Sequence, residues 1–445
     1  MTVLIKILQF VLSLSLLVII HELGHFLFAK YFKTRVEKFY LFFDAWFALF
    51  KFKKGETEYG IGWLPLGGYV KISGMIDESM DLEQLKQPPQ PYEFRSKTSW
   101  QRLLIMTGGV LFNFILAMLI FVFLLFSYGE TYLPTSSVKY GIVTDSVGKS
   151  IGLQNGDKIL SVDNQPIEDF MMLPNDILLN MRQTIQIDRN GERMNIDIPK
   201  EYIPQLLKGK GLISYRTPFN AMKVVAFTKD SPAQSAGLLK DDEIIGIDSL
   251  TFQYSDEFQA YLVENAENPV VINLIRAGEN KNITISPNEN GLLGIQFEGK
   301  KPLNEIFELK TITYGFFESI PAGIAKGFTT VSDYLKQFKL IFSKEVKGYE
   351  SVGGFITIAN IFPEMWNWQI FWERTALLSI VLAVMNILPI PLLDGGHVMF
   401  LLYEVVTGRK PSDKFLEYAQ IVGMVIVFAL LILANGNDIL RLIGK

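Results

Sequence analysis

The sequence predicts a polytopic α-helical membrane protein of about four transmembrane helices with two inserted β-rich domains. Three observations carry that prediction. Apolar residues make up 49% of the 445-residue chain and lift its mean hydropathy to +0.24, yet they are gathered into blocks. Four of those blocks approach the roughly 20 apolar residues that a spanning helix needs. The chain has only three histidines, and all fall in two short motifs, the first inside an apolar block. Finally, the long stretch between the second and third blocks is polar and repeats itself once.

Charge and cysteine usage narrow the class. The formal net charge of −4 gives no reason to invoke nucleic acid, and the absence of cysteine excludes disulfides and thiolate chemistry. The N-terminus has a lysine followed by an apolar run, as a signal peptide does, but no small-residue cleavage site follows. The expectation is a retained signal-anchor helix.

The spans are expected at about 4–28, 103–127, 375–394 and 415–435. The second is uncharged from Leu103 to Phe126. Between the first two, Lys30 to Arg102 holds 12 Lys/Arg, seven of them before Lys54 is passed, which places this loop in the cytoplasm. Nine acidic residues in the same loop moderate that bias. Residues 130–370 then face the exterior, and spans three and four return as a hairpin whose connection holds Arg409, Lys410 and Lys414.

The exterior stretch contains a repeat at a shift of 85 residues. Asp145-Ser146 meets Asp230-Ser231, Gly152-Leu153 meets Gly237-Leu238, and Asp157, Ile159 and Asp163 meet Asp242, Ile244 and Asp248. Each copy continues toward a hairpin, turning at Asn190-Gly191 and at Ala277-Gly278. Segment 303–349 mixes charges with aromatics and is expected to be an amphipathic helix at the membrane surface. The implied division is a membrane half over 1–130, β-rich domains over 136–215 and 220–300, an amphipathic linker over 301–370, and a second membrane half over 371–445.

The chemistry starts from His-Glu-Leu-Gly-His at 21–25. Residues four apart share a helix face, so His21 and His25 can hold one metal ion with Glu22 beside it. A catalytic zinc takes three protein ligands and keeps a place for water. The third must come from elsewhere, and Asn386-Ile-Leu-Pro-Ile-Pro-Leu-Leu-Asp394-Gly-Gly-His397 is the place where a carboxylate ends an apolar helix. A carboxylate at membrane depth costs about 2.5–3.5 kcal/mol, which binding a dication offsets. Asp394 can alternatively cap a helix end. Glu22 would be the general base toward water, and the reaction so assembled is peptide-bond hydrolysis. His397 reads better as a group behind the ligands than as a ligand. Asn386 can serve the oxyanion or bridge helices. Tyr59–Ser73, rich in Gly with apolar residues between, is expected to form a short β-hairpin. Its edge at Gly68, Tyr69 and Val70 could pair with an unwound substrate strand.

The two exterior copies resemble PDZ domains through Gly152-Leu153, Gly156-Asp157 and Ile159, and through Ala236-Gly237-Leu238, with Asp241 replacing the usual Gly in the second. Two readings follow: capture of peptide termini by strand addition, or steric shielding of the membrane site. As a whole the chain resembles the site-2 protease family, in the bacterial branch of the regulator of sigma-E protease. The resemblance rests on residues 21–25, on Gly62 to Lys71, on Gly109 and Asn113, and on Asn386-x-x-Pro389-x-Pro391-x-x-Asp394-Gly395; Val110 stands where that family usually has Pro. It implies an intramembrane zinc metalloprotease of the bacterial inner membrane, with one Zn2+ per chain held by His21, His25 and Asp394, and Glu22 as base. It implies single-span membrane proteins as substrates. A scaffold that had lost catalysis would be free to lose any of these four residues, and all are present. A transporter would carry its repeat within the membrane, whereas this repeat lies outside.

Overall fold

An apolar run without a helix breaker must satisfy its backbone internally once water is excluded. The computed structural model of this chain accordingly begins with α1 (Thr2–Tyr31) and continues, after a hairpin, with α2 (Ser99–Tyr128). It describes residues 2–75, 88–202, 205, 212–298, 301–341 and 352–443. The parts of the expected membrane halves that fall on 1, 76–87 and 444–445, of the expected domains at 136–215 and 220–300 that fall on 203–204, 206–211 and 299–300, and of the linker at 301–370 that fall on 342–351 lie outside the described residues.

Two compact units divide the chain: residues 1–130 with 313–445, and residues 131–312. In the first, α1 and α2 are joined by the hairpin β1 (Val36–Lys54) and β2 (Thr57–Ile72). Then come α3 (Phe316–Ile341), α4 (Trp368–Ile387), α5 (Asp394–Thr407) and α6 (Asp413–Leu442). Among the described residues four helices, α1, α2, α4 and α6, are long and apolar enough to cross a membrane. At about 1.5 Å per residue, even the 20-residue α4 matches a hydrocarbon core of about 30 Å. Their outer faces expose Leu119, Phe123, Val425 and Ile432, as lipid contact requires. The fold is therefore that of a multi-pass membrane protein.

The third span begins earlier than 375 and stops at Ile387, and Asp394 opens a new helix instead of ending that one. Pro389 and Pro391 are the cause. They lack N–H donors and push Leu388 and Ile390 away from helical backbone, so residues 388–393 form an irregular bridge. The connection between α4 and α6 is correspondingly longer than a tight hairpin, because α5 lies within it. The expected short hairpin at Tyr59–Ser73 is one arm of a larger one: β1 and β2 turn at Gly55-Glu56. Residues 38–41 are flanked on both sides, by 58–61 and by 68–71. This leaves the 68–71 segment as an edge that no other described strand pairs with.

In the second unit, β3 (Glu130–Tyr132) pairs with β14 (Lys310–Ile312) and joins the unit's two ends. Its first lobe contains β4 (Ile142–Thr144), β5 (Lys158–Val162), β6 (Thr184–Arg189), β7 (Glu192–Asp197) and β8 (Ile213–Tyr215). The second is an antiparallel sheet of β9 (Met222–Phe227), β10 (Glu243–Ile247), β11 (Val270–Arg276), β12 (Glu279–Ile285) and β13 (Ile295–Phe297), ordered β12-β11-β10-β9-β13. Each lobe has its own apolar core, around Ile142, Ile185 and Ile187 in one and Val224, Ile244 and Ile272 in the other.

The repeat is carried by one ion pair made twice. Asp157 accepts two bonds from Arg189, at 2.7 and 2.8 Å, and Asp242 accepts two from Arg276, both at 2.7 Å. The same arginines donate to the carbonyls of Gly152 and Gly237. Burial raises the Asp242 carboxyl, but Arg276 and the Leu239 amide outweigh it and hold the group below the usual carboxylate range. A lowered folded-state pKa contributes stability above about pH 4, lost as pH falls through the lowered value. Arg276→Ala is expected to cost about 3 kcal/mol, because it strands a carboxylate only 1% exposed. Limited proteolysis of the full chain would then cut the second lobe first, and acidification of the unmutated chain below about pH 4 would have the same effect.

Candidate metal centre

The site is assembled by close approach of two helix backbones. A Cβ on Gly24 would strike the Gly108 carbonyl, and one on Gly109 would strike both imidazoles. With only hydrogen there, α2 lies directly beneath the His21–His25 face of α1. The small polar groups of Ser13, Thr375 and Ser379 tie α4 to the same pair: Thr375 Oγ1 donates to Ser13 Oγ at 3.0 Å and Ser379 Oγ to the Asn113 carbonyl at 2.7 Å.

Three donor atoms converge. His21 Nε2 and His25 Nε2 are 3.2 Å apart, and Asp394 Oδ2 lies 3.1 Å from the first and 3.3 Å from the second. Zinc bonds of about 2.0–2.1 Å in a tetrahedron put donor atoms about 3.3–3.4 Å apart, so these separations are those of a zinc-sized site. Asp394 Oδ2 is buried and accepts no hydrogen bond from the protein, as an atom reserved for a cation would be. Among the described residues this His-His-Asp group is the one cluster of its kind.

What lies behind each imidazole frees the correct nitrogen. His25 Nδ1 is 2.8 Å from the Ile105 carbonyl and can only donate to it, leaving the Nε2 lone pair for a metal. His21 Nδ1 is 3.2 Å from the Asn113 amide, whose Oδ1 is otherwise buried without a partner. Rotating that amide lets Oδ1 accept from His21 Nδ1–H, satisfying both groups and again freeing Nε2. Sequence reasoning noted Asn113 but assigned it no place in the site. The signal was present: an amide within the uncharged, apolar stretch from Leu103 to Phe126.

Every candidate from the sequence lines one cavity of about 590 Å3. His21, Glu22, His25 and Asp394 line it together with Asn386, Gly68, Tyr69 and Val70. Asn386 Nδ2 stands 3.4 Å from His21 Nε2, so the residue faces the metal-sized gap rather than a neighbouring helix. Gly68 comes so near Glu22 and Val18 that any side chain there would collide with Val18 and the Tyr40 carbonyl. The hairpin edge thus passes directly over the acid next to the metal group. His397 lines the cavity but is outside the three-donor cluster. Two turns further along α5, Glu404 accepts from Arg102 at 2.5 Å and from Ser99 at 3.0 Å, anchoring to α2 the helix that begins at Asp394.

The family model for Peptidase family M50 matches residues 9–430. Among curated relatives, the chain is 28% identical to the "Regulator of sigma E protease" of Haemophilus influenzae, over 98% of each chain. It is 29% identical to a "Putative zinc metalloprotease" of Neisseria meningitidis serogroup A and 27% identical to one of Treponema pallidum, covering 98% of this chain and 99% of each relative.

Proposed function

We propose, from the premise that the chain belongs to peptidase family M50 and is a membrane zinc metalloprotease, that it hydrolyses peptide bonds inside the spanning segments of other membrane proteins. The observation that carries this reading is the His21–His25–Asp394 triangle at zinc spacing, beside Glu22, with both histidines and Glu22 on a helix long enough to cross a bilayer. His21, His25 and Asp394 would hold the ion. When bound, the ion supplies Lewis acidity that makes water a nucleophile near neutral pH. Glu22 takes a proton from the attacking water on a carboxylate oxygen as the C–O bond forms and the carbonyl oxygen becomes an oxyanion; it then passes that proton to the amide nitrogen as C=O re-forms and the C–N bond breaks. Asn386, with its amide toward the same gap, donates to the developing oxyanion.

A substrate helix hides its carbonyls in its own hydrogen bonds, so the scissile stretch must be extended first. The free edge at Gly68–Val70 offers backbone partners for an extended strand without demanding a sequence. The substrates are single-span proteins, such as anti-sigma factors or remnant signal peptides, cleaved as a step of regulated intramembrane proteolysis. The lobes at 136–215 and 220–300 are PDZ-like domains on the periplasmic side of a bacterial inner membrane, where they meet peptide termini and limit which substrates enter. Residues 301–370 link them to the second membrane half, with α3 amphipathic at the surface.

The test uses the full chain in proteoliposomes with single-span reporters. Gly or Pro within the reporter span is expected to speed cleavage about tenfold over a poly-Leu span, with fragment masses placing the cut inside the span. Val70→Pro should raise KM about tenfold or more with one zinc retained per chain. Equal rates on stiff and broken spans would remove substrate extension from the mechanism.

A further inference from the structure

From Phe39 to Phe50 the hairpin is apolar at every position but one, Asp44. A single carboxylate in such a run, beside the catalytic cavity, is costly unless its charge is used. Phe42 adopts φ 65°, a left-handed conformation that reverses the strand after Leu41 and returns Phe43 and Asp44 over Tyr69. Asp44 Oδ1 accepts from the Tyr69 hydroxyl at 2.8 Å, and Oδ2 accepts from Lys38 Nζ at 3.3 Å. Lys38 Nζ also donates to the Tyr69 hydroxyl at 3.3 Å, closing a three-membered ring of polar contacts. The Tyr69 ring is stacked between Tyr40, centroids 5.4 Å apart at 17°, and Phe43, 5.9 Å apart at 8°. Lys38, Asp44 and Tyr69 all line the cavity that holds the metal triangle.

We propose that Asp44 is a positioning residue for the reaction: through Tyr69 it fixes the height and facing of the Gly68–Val70 edge over Glu22. The physical need is plain. Successive strand residues face opposite sides, so a one-residue slip of this edge would turn its free N–H and C=O groups away from an incoming strand. Gly67 and Gly68 lack side chains that could resist such a slip, and Tyr69 is the first residue of the edge that can be gripped. Stacking holds its ring plane but lets the ring slide, whereas the hydrogen bond to Asp44 fixes its position along that plane. Lys38 compensates the carboxylate's charge and keeps its second oxygen occupied, so that Oδ1 points at the phenol. Burial and Asp44 together raise the Tyr69 phenol well above its ordinary value, which keeps it a donor throughout the working pH range. The inference rests on the proposed addition of a substrate strand at this edge.

The experiment is steady-state cleavage of a single-span reporter by the full chain in proteoliposomes, with zinc content and melting temperature measured alongside. Tyr69→Phe and Asp44→Ala are each expected to raise KM about tenfold while kcat stays within about twofold and zinc remains at one per chain. The double variant should be no worse than either single, because both remove the same bond. Asp44→Asn, which keeps an acceptor for the phenol, should recover most of the lost affinity. Unchanged KM in the two single variants, additive effects in the double, or losses of zinc and melting temperature that track the kinetic loss would each overturn the positioning role. Val70→Pro separates this from the reading beneath it. If that variant leaves KM unchanged, strand addition itself fails; if it raises KM while Tyr69→Phe and Asp44→Ala do not, only the clamp fails.

Discussion

Replacing Glu22 with Gln is expected to leave one zinc per chain and to remove peptide cleavage almost entirely. The substitution keeps shape and hydrogen-bonding reach but cannot take a proton from water, so it tests the base and nothing else. General acid–base catalysis contributes about 10²–10⁴-fold, equivalent to roughly 3–5.5 kcal/mol of barrier, and the loss should be at least that large. Glu22 lines the cavity next to the His21–His25–Asp394 group, yet it is not one of the three converging donors, so its replacement leaves all three in place to hold the metal. The measurement pairs zinc analysis of purified protein with accumulation of uncleaved, membrane-retained reporter. Cleavage within about tenfold of the unmutated chain would sink the base assignment.

Asp394→Ala is expected to lose both metal and activity. Its Oδ2 lies within 3.3 Å of both imidazole Nε2 atoms, and no protein hydrogen bond competes for it. Removing even a group behind a ligand weakens metal affinity about 10–100-fold, so removing a ligand should exceed that. Zinc stoichiometry after dialysis against a weak chelator gives the answer. A full zinc complement in the Asp394→Ala protein would mean that another residue completes the site, with His397, one turn along α5 and lining the same cavity, the first to examine. A comparison with Asn113→Ala grades the result: that variant should retain the metal under conditions where Asp394→Ala does not.

Much of this was legible in the chain because the physics involved is local. A run of about 20 apolar residues has few options but to span, and the i, i+4 spacing of His21 and His25 alone places two imidazoles on one helix face. The repeat could be read because Asp157 and Asp242 make the same ion pair with their hairpin arginines. Two carboxylates in equivalent surroundings keep equivalent neighbours.

Distances along the sequence say nothing of which side chains meet, and there the tertiary structure decided. The sequence singled out Asp394, but its place as the first residue of α5 depends on Pro389 and Pro391 ending α4 early. Asn113 could be noted, but its role behind His21 depends on α1 and α2 approaching at Gly24, Gly108 and Gly109. The hairpin was expected as a short loop at 59–73, whereas its strands draw on residues from Val36 to Ile72. The reversal at Phe42 that brings Asp44 to Tyr69 has no sequence signature, since an aromatic residue is a poor candidate for left-handed backbone. Local periodicity and composition therefore determined which segments are long and apolar enough to cross a membrane and which residues are the candidates for the chemistry. Only packing, through glycine-to-glycine helix contact and a strand edge laid over Glu22, decided how they form one site.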